Sequence, residues 1–351
     1  MQPKCFIPAN TRKEKCVHLE ELGWNSYFAS HYVNGTPGRV ALATRKHFVV
    51  WTEEGEVEAT ASGRLRHLNT LCPCVGDWVL LRGQSVIESV LPRRTELLRK
   101  SPGKGVREQV LAANVDVLLV VAGLDGDYNP RRIERYLVLA RDSGARPVLL
   151  LNKADLRGDV TNVIRAAGQF APGVPVLAIS ALAGWGLDEL PKRVGWGETA
   201  ALIGSSGAGK STILNRFLGE DRQRTASVRE RDSRGRHTTT HRELVRMPEG
   251  WFLMDLPGLR ELQLWADPEQ IDDTFSDIVG LAAGCRFRDC SHQHEPGCAV
   301  RAAAIDEGRL QSYYKLKREL AYLDRDIDVR LARETKRRCK IIEREMRHHS
   351  P

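Results

Sequence analysis

The residues whose types and spacing most clearly carry chemistry are Gly204, Ser205, Ser206, Gly207, Ala208, Gly209, Lys210, Ser211 and Thr212. They spell G-x-x-x-x-G-K-[ST], a pattern that wraps backbone N–H groups around a phosphate chain. The glycines let successive amides turn towards one anion, and a helix starting behind the loop adds its positive dipole end. Lys210 is expected to reach the β- and γ-phosphates, and the Ser211 hydroxyl to ligate Mg²⁺. Residues 200–203 form a short apolar run suited to a buried strand, and residues 212–218 have helical apolar spacing. Strand, loop and helix together imply a bound nucleoside phosphate.

Two further loops point to guanine. The apolar run 148–151 ends in Asn152, Lys153, Ala154 and Asp155, and the run 174–179 ends in Ser180 and Ala181. The Asp155 carboxylate can accept two hydrogen bonds from the N1–H and 2-amino groups of guanine. Adenine lacks that donor pair, so a site built on Asp155 leaves a charge unpaired when ATP enters. A backbone N–H from Ser180-Ala181 suits guanine O6. Asp255, after the apolar run 251–254, opens D-x-P-G; it is expected to hold a Mg²⁺ water, while Gly258 brings its N–H to the γ-phosphate. Upstream, Gly235-Arg236-His237-Thr238-Thr239-Thr240 has the character of a first switch, with Thr239, or alternatively Thr240, as a Mg²⁺ ligand.

The order of these motifs is permuted: the base-reading loops precede the phosphate loop. A parallel sheet tolerates such a rearrangement when its old termini lay close together. The second switch then leads directly into the C-terminal region, so nucleotide state can act on that region.

The elements that must position these loops follow from patterning. Short β-rich runs from residue 38 to about 98, with turns between them, predict a small antiparallel barrel of OB type, with an SH3-like barrel as the alternative. Residues 1–35 read as an irregular extension in which Trp24, Tyr27 and Phe28 cover a core edge. Residues 91–108 are polar and basic (Arg93, Arg94, Arg99, Lys100, Lys104, Arg107) and contain a Ser101-Pro102-Gly103 loop signal, so a linker is expected over 99–112. Apolar strands then alternate with helices at 130–141, 160–170 and 187–194, the signature of a parallel sheet. The expected division is therefore an extension over 1–35, a barrel over 36–98, a linker over 99–112, a permuted α/β GTPase domain over 113–278 and a metal-binding helical domain over 279–351.

In that last region Cys285, Cys290, His292 and Cys298 read C-x₄-C-x-H-x₅-C. Three thiolates and one imidazole form a closed tetrahedral set, the composition of one structural Zn²⁺. His294 is the alternative histidine. Cys72-Pro73-Cys74 lacks a second pair and is expected to be ordinary thiols. Tyr313, Leu316, Leu320, Leu323 and Ile327 recur at steps of three and four, an amphipathic seam. Residues 309–349 hold thirteen Lys/Arg against seven Asp/Glu, most of the chain's net +8, which suits contact with a phosphate backbone.

Taken together, the permuted GTPase motifs, the preceding barrel and the following Cys/His cluster resemble the bacterial RsgA/YjeQ family over roughly residues 36–340. The resemblance implies GTP hydrolysis stimulated by the small ribosomal subunit and its 16S rRNA, with a role in late subunit maturation. Leu259 follows Gly258 where many small GTPases place a water-positioning glutamine, so intrinsic turnover is expected to be slow and His237 becomes the candidate catalytic group in cis. The competing reading is a GTP-gated RNA-binding scaffold with incidental hydrolysis and no ribosomal role. A metal-dependent RNA-processing enzyme is disfavoured, because Cys₃His leaves no open catalytic position. With 42% hydrophobic and 28% charged residues, no apolar run of membrane-spanning length and no signal-peptide core, the chain is expected to be a cytoplasmic monomer binding GTP and GDP.

Overall fold

The computed structural model describes residues 17–44, 47–68, 72–83, 85–100, 108–219, 242–256, 267–323 and 325. The β-rich runs near the N-terminus become β1 (Thr36–Ala43), β2 (Phe48–Thr52), β3 (Gly55–Ala61), β4 (Trp78–Arg82) and β5 (Val86–Val90). Alternation sets their faces: in β2, Phe48, Val50 and Thr52 are buried, while Val49 and Trp51 are half-buried. The strands pair in the order β1-β2-β3-β5-β4, and β4 returns to β1 to close a five-stranded, OB-like barrel. Val40, Phe48, Val50, Ala59, Val79, Leu81 and Ile87 fill it. A short helix, Gly63–Leu68, lies between β3 and β4, where the sequence showed no helical period. Before the barrel, residues 17–35 are ordered against it: Phe28 is buried with its ring centroid 5.7 Å from that of Trp78, and Trp24 meets Trp78 edge-on at 4.8 Å.

The segment after the barrel differs from the expected linker. Residues Glu96–Lys100 (β6) and Glu108–Ala113 (β7) form an antiparallel hairpin, and Leu97, Leu111 and Ala112 are buried in the main core. Two of the basic residues in this stretch hold folded-state partners, Arg93 with its side chain buried and Arg94 at the surface. Arg93 makes a bidentate pair with the fully buried Asp77 (2.7 and 2.8 Å), and Arg94 pairs with Asp116 at 3.2 Å. Burial of the hairpin's apolar residues outweighs the local basic signal.

The α/β region contains β8 (Val117–Gly123), β9 (Arg146–Asn152), β10 (Val176–Ala178), β11 (Thr199–Gly204), β12 (Arg242–Arg246) and β13 (Phe252–Asp255). Their order is β10-β9-β8-β11-β13-β12, parallel except for β12. The continuous apolar strand β8 feeds both faces. Val117, Leu119 and Val121 join one core, and Leu118, Val120 and Ala122 the other. Helices Pro130–Asp142 and Val160–Phe170 form where expected. The helix expected over 187–194 does not; only a 3₁₀ turn, Leu187–Glu189, is present, and Pro191 behind it lacks the N–H that a longer helix needs.

Barrel and α/β region share one sheet, because Leu42 and Ala43 of β1 pair with Glu243 and Arg242 of β12. Buried Arg39 pins the junction: it donates to the Leu22 carbonyl at 2.5 Å and to the Thr199 hydroxyl, and lies over the rings of Trp78 and Phe252. Burial pushes its guanidinium down to about 10.

The C-terminal helices pack on the other core face. Tyr313, Leu316, Leu320 and Leu323, on the helix spanning 307–323, are all buried as the seam predicted; Ile327 lies outside the described residues. Arg309 locks this helix down, donating to Glu134 (2.8 Å), Asp277 (2.6 and 2.8 Å) and the carbonyls of Phe170 and Thr274 (both 3.1 Å). Among the described residues no helix is long and apolar enough to cross a membrane.

Candidate functional site: a nucleotide cleft and a metal knuckle

The loops at 152–155, 180–181 and 204–209 leave the carboxyl ends of parallel strands β9, β10 and β11, where open α/β sheets hold ligands. Residues 204–209 follow central strand β11, and Lys210–Leu218 is the helix behind them. Two glycines are demanded by geometry. At Gly204 (φ 155°) a Cβ would lie 2.2 Å from the Val121 carbonyl, and at Gly209 (φ 96°) 2.1 Å from the Asn152 side-chain nitrogen. Lys210 Nζ donates to the carbonyls of Gly204 (2.8 Å) and Ser205 (2.6 Å), so the ammonium sits within the loop's curve. Ser206, Gly207 and Ser211 are exposed on it; Ala208 is buried, and Thr212 lies in the first turn of the helix.

Asn152, at the end of β9, joins the loops. Its Nδ2 donates to the Ala208 carbonyl at 2.8 Å, and its Oδ1 accepts from the Ala181 N–H at 3.0 Å. One buried side chain thus fixes the phosphate loop against the Ser180-Ala181 loop. Arg216, from the helix behind the phosphate loop, donates to the carbonyls of Ala181 (3.0 Å) and Leu182. Ser180 is fully buried, and its hydroxyl accepts from the Ala183 N–H at 3.1 Å. Lys153 adopts a left-handed backbone (φ 62°), turning the chain into the 3₁₀ turn Ala154–Leu156, where Ala154 is buried and Asp155 exposed. Asp255 ends β13 beside β11. His237, Thr239, Thr240 and Gly258 lie outside the described residues.

Three participants were not anticipated. The loop after β8 carries Asp125, which accepts from Lys153 Nζ, and Asp127, which accepts from Ser205 Oγ at 2.5 Å. Hydrogen bonds from Lys153 and Arg132, respectively, hold these carboxyls below the usual range. Arg216 is the third. Their sequence signal was weak, since acidic residues in a Gly-rich loop read as a turn.

The metal candidates also converge. The ligand atoms of Cys285, Cys290, His292 and Cys298 lie within 4.8 Å of one another. His292 Nδ1 is 3.5 Å from Cys285 Sγ and 3.4 Å from Cys298 Sγ, and those two sulfurs are 3.9 Å apart. Tetrahedral zinc with ordinary bond lengths places its donors about 3.5–3.8 Å apart, so the set fits that ion. Glu295, also unanticipated, shapes the knuckle: its carboxylate accepts from the N–H groups of Ser291 (2.9 Å), Gln293 (3.1 Å) and His294 (3.2 Å), and from the Ser291 hydroxyl (2.5 Å). His294 is outside the converging four.

A phosphate loop on the central strand, base-side loops on the strands before it in sequence and a sheet ordered in this way define a circularly permuted P-loop GTPase. The family model for the RsgA GTPase matches residues 90–265. A protein from Opitutus terrae named small ribosomal subunit biogenesis GTPase RsgA is 46% identical over 350 residues, covering 92% of this chain and 95% of that protein. A namesake from Syntrophotalea carbinolica is 43% identical at the same coverage. The crystal structure of YjeQ from Thermotoga maritima superposes with a TM-score of 0.62 at 28% identity, covering 82% of this chain and 98% of that one. YloQ, described as a circularly permuted GTPase, shares the fold with a TM-score of 0.57. The chain belongs to the RsgA GTPase family.

Proposed function

We propose that the chain hydrolyses GTP to GDP and phosphate in the biogenesis of the small ribosomal subunit, binding the subunit and its 16S rRNA as a cytoplasmic monomer. The observation that carries the reading is the Asn152 bridge, which holds the phosphate loop and the base-side loop in one register. Names of relatives over nearly the full chain favour a ribosomal role over the scaffold alternative.

In this reading the amides of residues 204–212 and the Lys210 ammonium bind the phosphates, Asp155 reads the guanine edge, and the Ala181 region faces O6. Asn152, Lys153 and Ala154 position Asp155. Mg²⁺ would be held by Ser211, Thr239 and, through water, Asp255; when bound, it neutralises charge between the β- and γ-phosphates. Gly258 donates its N–H to the γ-phosphate. His237 orients the attacking water in the subunit-bound protein, since an imidazole near neutral pH can accept or pass a proton.

The Cys285, Cys290, His292 and Cys298 set would hold one structural Zn²⁺. A closed Cys₃His shell supplies folding energy and leaves no position for substrate. We assign the barrel over 36–98, the GTPase domain over 113–278 and the metal-binding domain over 279–351; the hairpin of β6 and β7, which overlaps the end of the first range and the start of the second, packs into the GTPase core. Turnover measured with and without purified small subunits tests the reading.

A further inference from the structure

The loop joining β8 to helix Pro130–Asp142 touches the phosphate-binding loop, and the helix it starts touches the C-terminal domain. At the near end, Ser205 Oγ donates to Asp127 Oδ2 at 2.5 Å, a length typical of a hydroxyl on an ionised carboxylate. One guanidinium nitrogen of Arg132, in the first turn, reaches both Asp127 oxygens at 2.8 Å. The start of the helix is itself fixed, because the Asn129 side chain accepts from the N–H groups of Arg131 (3.0 Å) and Arg132 (3.2 Å). From its first two turns the same helix also reaches the C-terminal domain. Arg131 pairs with Asp306 and with Glu134 at 2.6 Å, Glu134 accepts from Arg309 at 2.8 Å, and Arg135 pairs with Glu319. Polar contacts therefore connect Ser205, through this loop and helix, to Asp306, Arg309 and Glu319.

We propose that Asp127 is a positioning residue of the phosphate-binding loop that couples nucleotide occupancy to the C-terminal helix 307–323 through helix Pro130–Asp142. The inference rests on reading residues 204–212 as the phosphate site. Its chemistry is an exchange of constraints: phosphates that draw the loop amides inward tighten the Ser205 hydroxyl on Asp127, and Arg132 carries the change into the helix. The permuted order makes the route useful. The C-terminal domain follows the second switch in sequence, yet its ion-pair contacts run back to a helix upstream of the phosphate loop.

The test is amide hydrogen exchange of the full-length protein, free and saturated with GDP or a non-hydrolysable GTP analogue, with affinities measured by calorimetry in parallel. In the unsubstituted protein, nucleotide should slow exchange across residues 307–323 several-fold. Asp127→Ala should weaken nucleotide binding by about tenfold, the scale of one charge-assisted hydrogen bond, and abolish the C-terminal response at saturation. Ser205→Ala should reproduce both effects, and the double variant should add little to either, as for two ends of one interaction. Glu319→Gln, at the far and partly exposed end, should keep nucleotide affinity and diminish the exchange response. A C-terminal response that survives Asp127→Ala, or its absence from the unsubstituted protein despite measured nucleotide binding, overturns the coupling. Failure of the unsubstituted protein to bind either nucleotide would overturn the phosphate-site reading itself.

Discussion

The side chain of Asn152 and the main chain of Ala208 meet at 2.8 Å, so the strand that ends in the proposed base-reading turn is tied to the proposed phosphate loop. The other end of the same amide accepts from the Ala181 N–H, so the side chain must donate and accept at once, which an ionised acid cannot do. Asn152→Asp sets a carboxylate against the Ala208 carbonyl. It should weaken GTP by about 2–4 kcal/mol, the cost of a buried polar mismatch involving charge. Calorimetry checks this, and affinity within twofold of the original would discard the bridge as an organising contact.

Guanine selection is assigned to Asp155. Asp155→Asn should weaken GTP by about 2–4 kcal/mol and shift preference towards xanthosine nucleotides, whose base presents the complementary pattern. Competition between GTP and XTP measures the shift directly; an unchanged preference rejects the base assignment.

How far these features were legible in the sequence depended on the kind of signal. Strands β8, β9 and β11 were readable because apolar runs end in loops that only glycine or a strand-end turn can make. The close approach of Gly209 to Asn152 is why that glycine stands where the motif has it. The hairpin of β6 and β7 was masked by the basic stretch leading into it: Arg93 and Arg94 read as a solvated run, yet their partners Asp77 and Asp116 lie 16 and 22 residues away. The clamp on Arg309 was equally hidden, since Glu134 is 175 residues distant. The Cys₃His spacing, by contrast, is local chemistry and was visible at once.

That clamp should be costly to break. Arg309→Met leaves Glu134 fully buried with Arg131 as its remaining cation, and should destabilise the protein by about 3 kcal/mol. Adding Glu134→Gln should restore part of the loss. Denaturant melts of the three variants check the order.

Its acid response follows from Asp277. Burial raises this carboxyl, but the hydrogen bonds and charge of Arg309 outweigh it and hold the group below its ordinary value. A depressed carboxylate stabilises the fold fully above its unfolded value near 3.8 and loses that contribution as pH falls through the lower folded value. Below about pH 4, Arg309→Met should therefore lose less additional stability than the unsubstituted protein, as read by melts from pH 7 to 3.

Zinc should be present at close to one equivalent. Cys290→Ala should loosen residues near 280–300 while sparing nucleotide binding, because the four ligands all come from residues 285–298 and the knuckle rests on helix 307–323, where Tyr314 donates to the Ser291 carbonyl at 2.7 Å. Elemental analysis of protein purified without chelators, followed by hydrogen exchange, tests both halves.

The most direct test of the whole account is GTP turnover titrated with purified small ribosomal subunits. Turnover should be slow alone and rise to saturation as subunits are added. His237→Ala should bind GTP and the subunit yet lose most of the stimulated rate, by about 10²-fold or roughly 2.7 kcal/mol. A rate that stays flat across the titration, or that rises equally with large subunits, would contradict the assignment of this chain to small-subunit biogenesis.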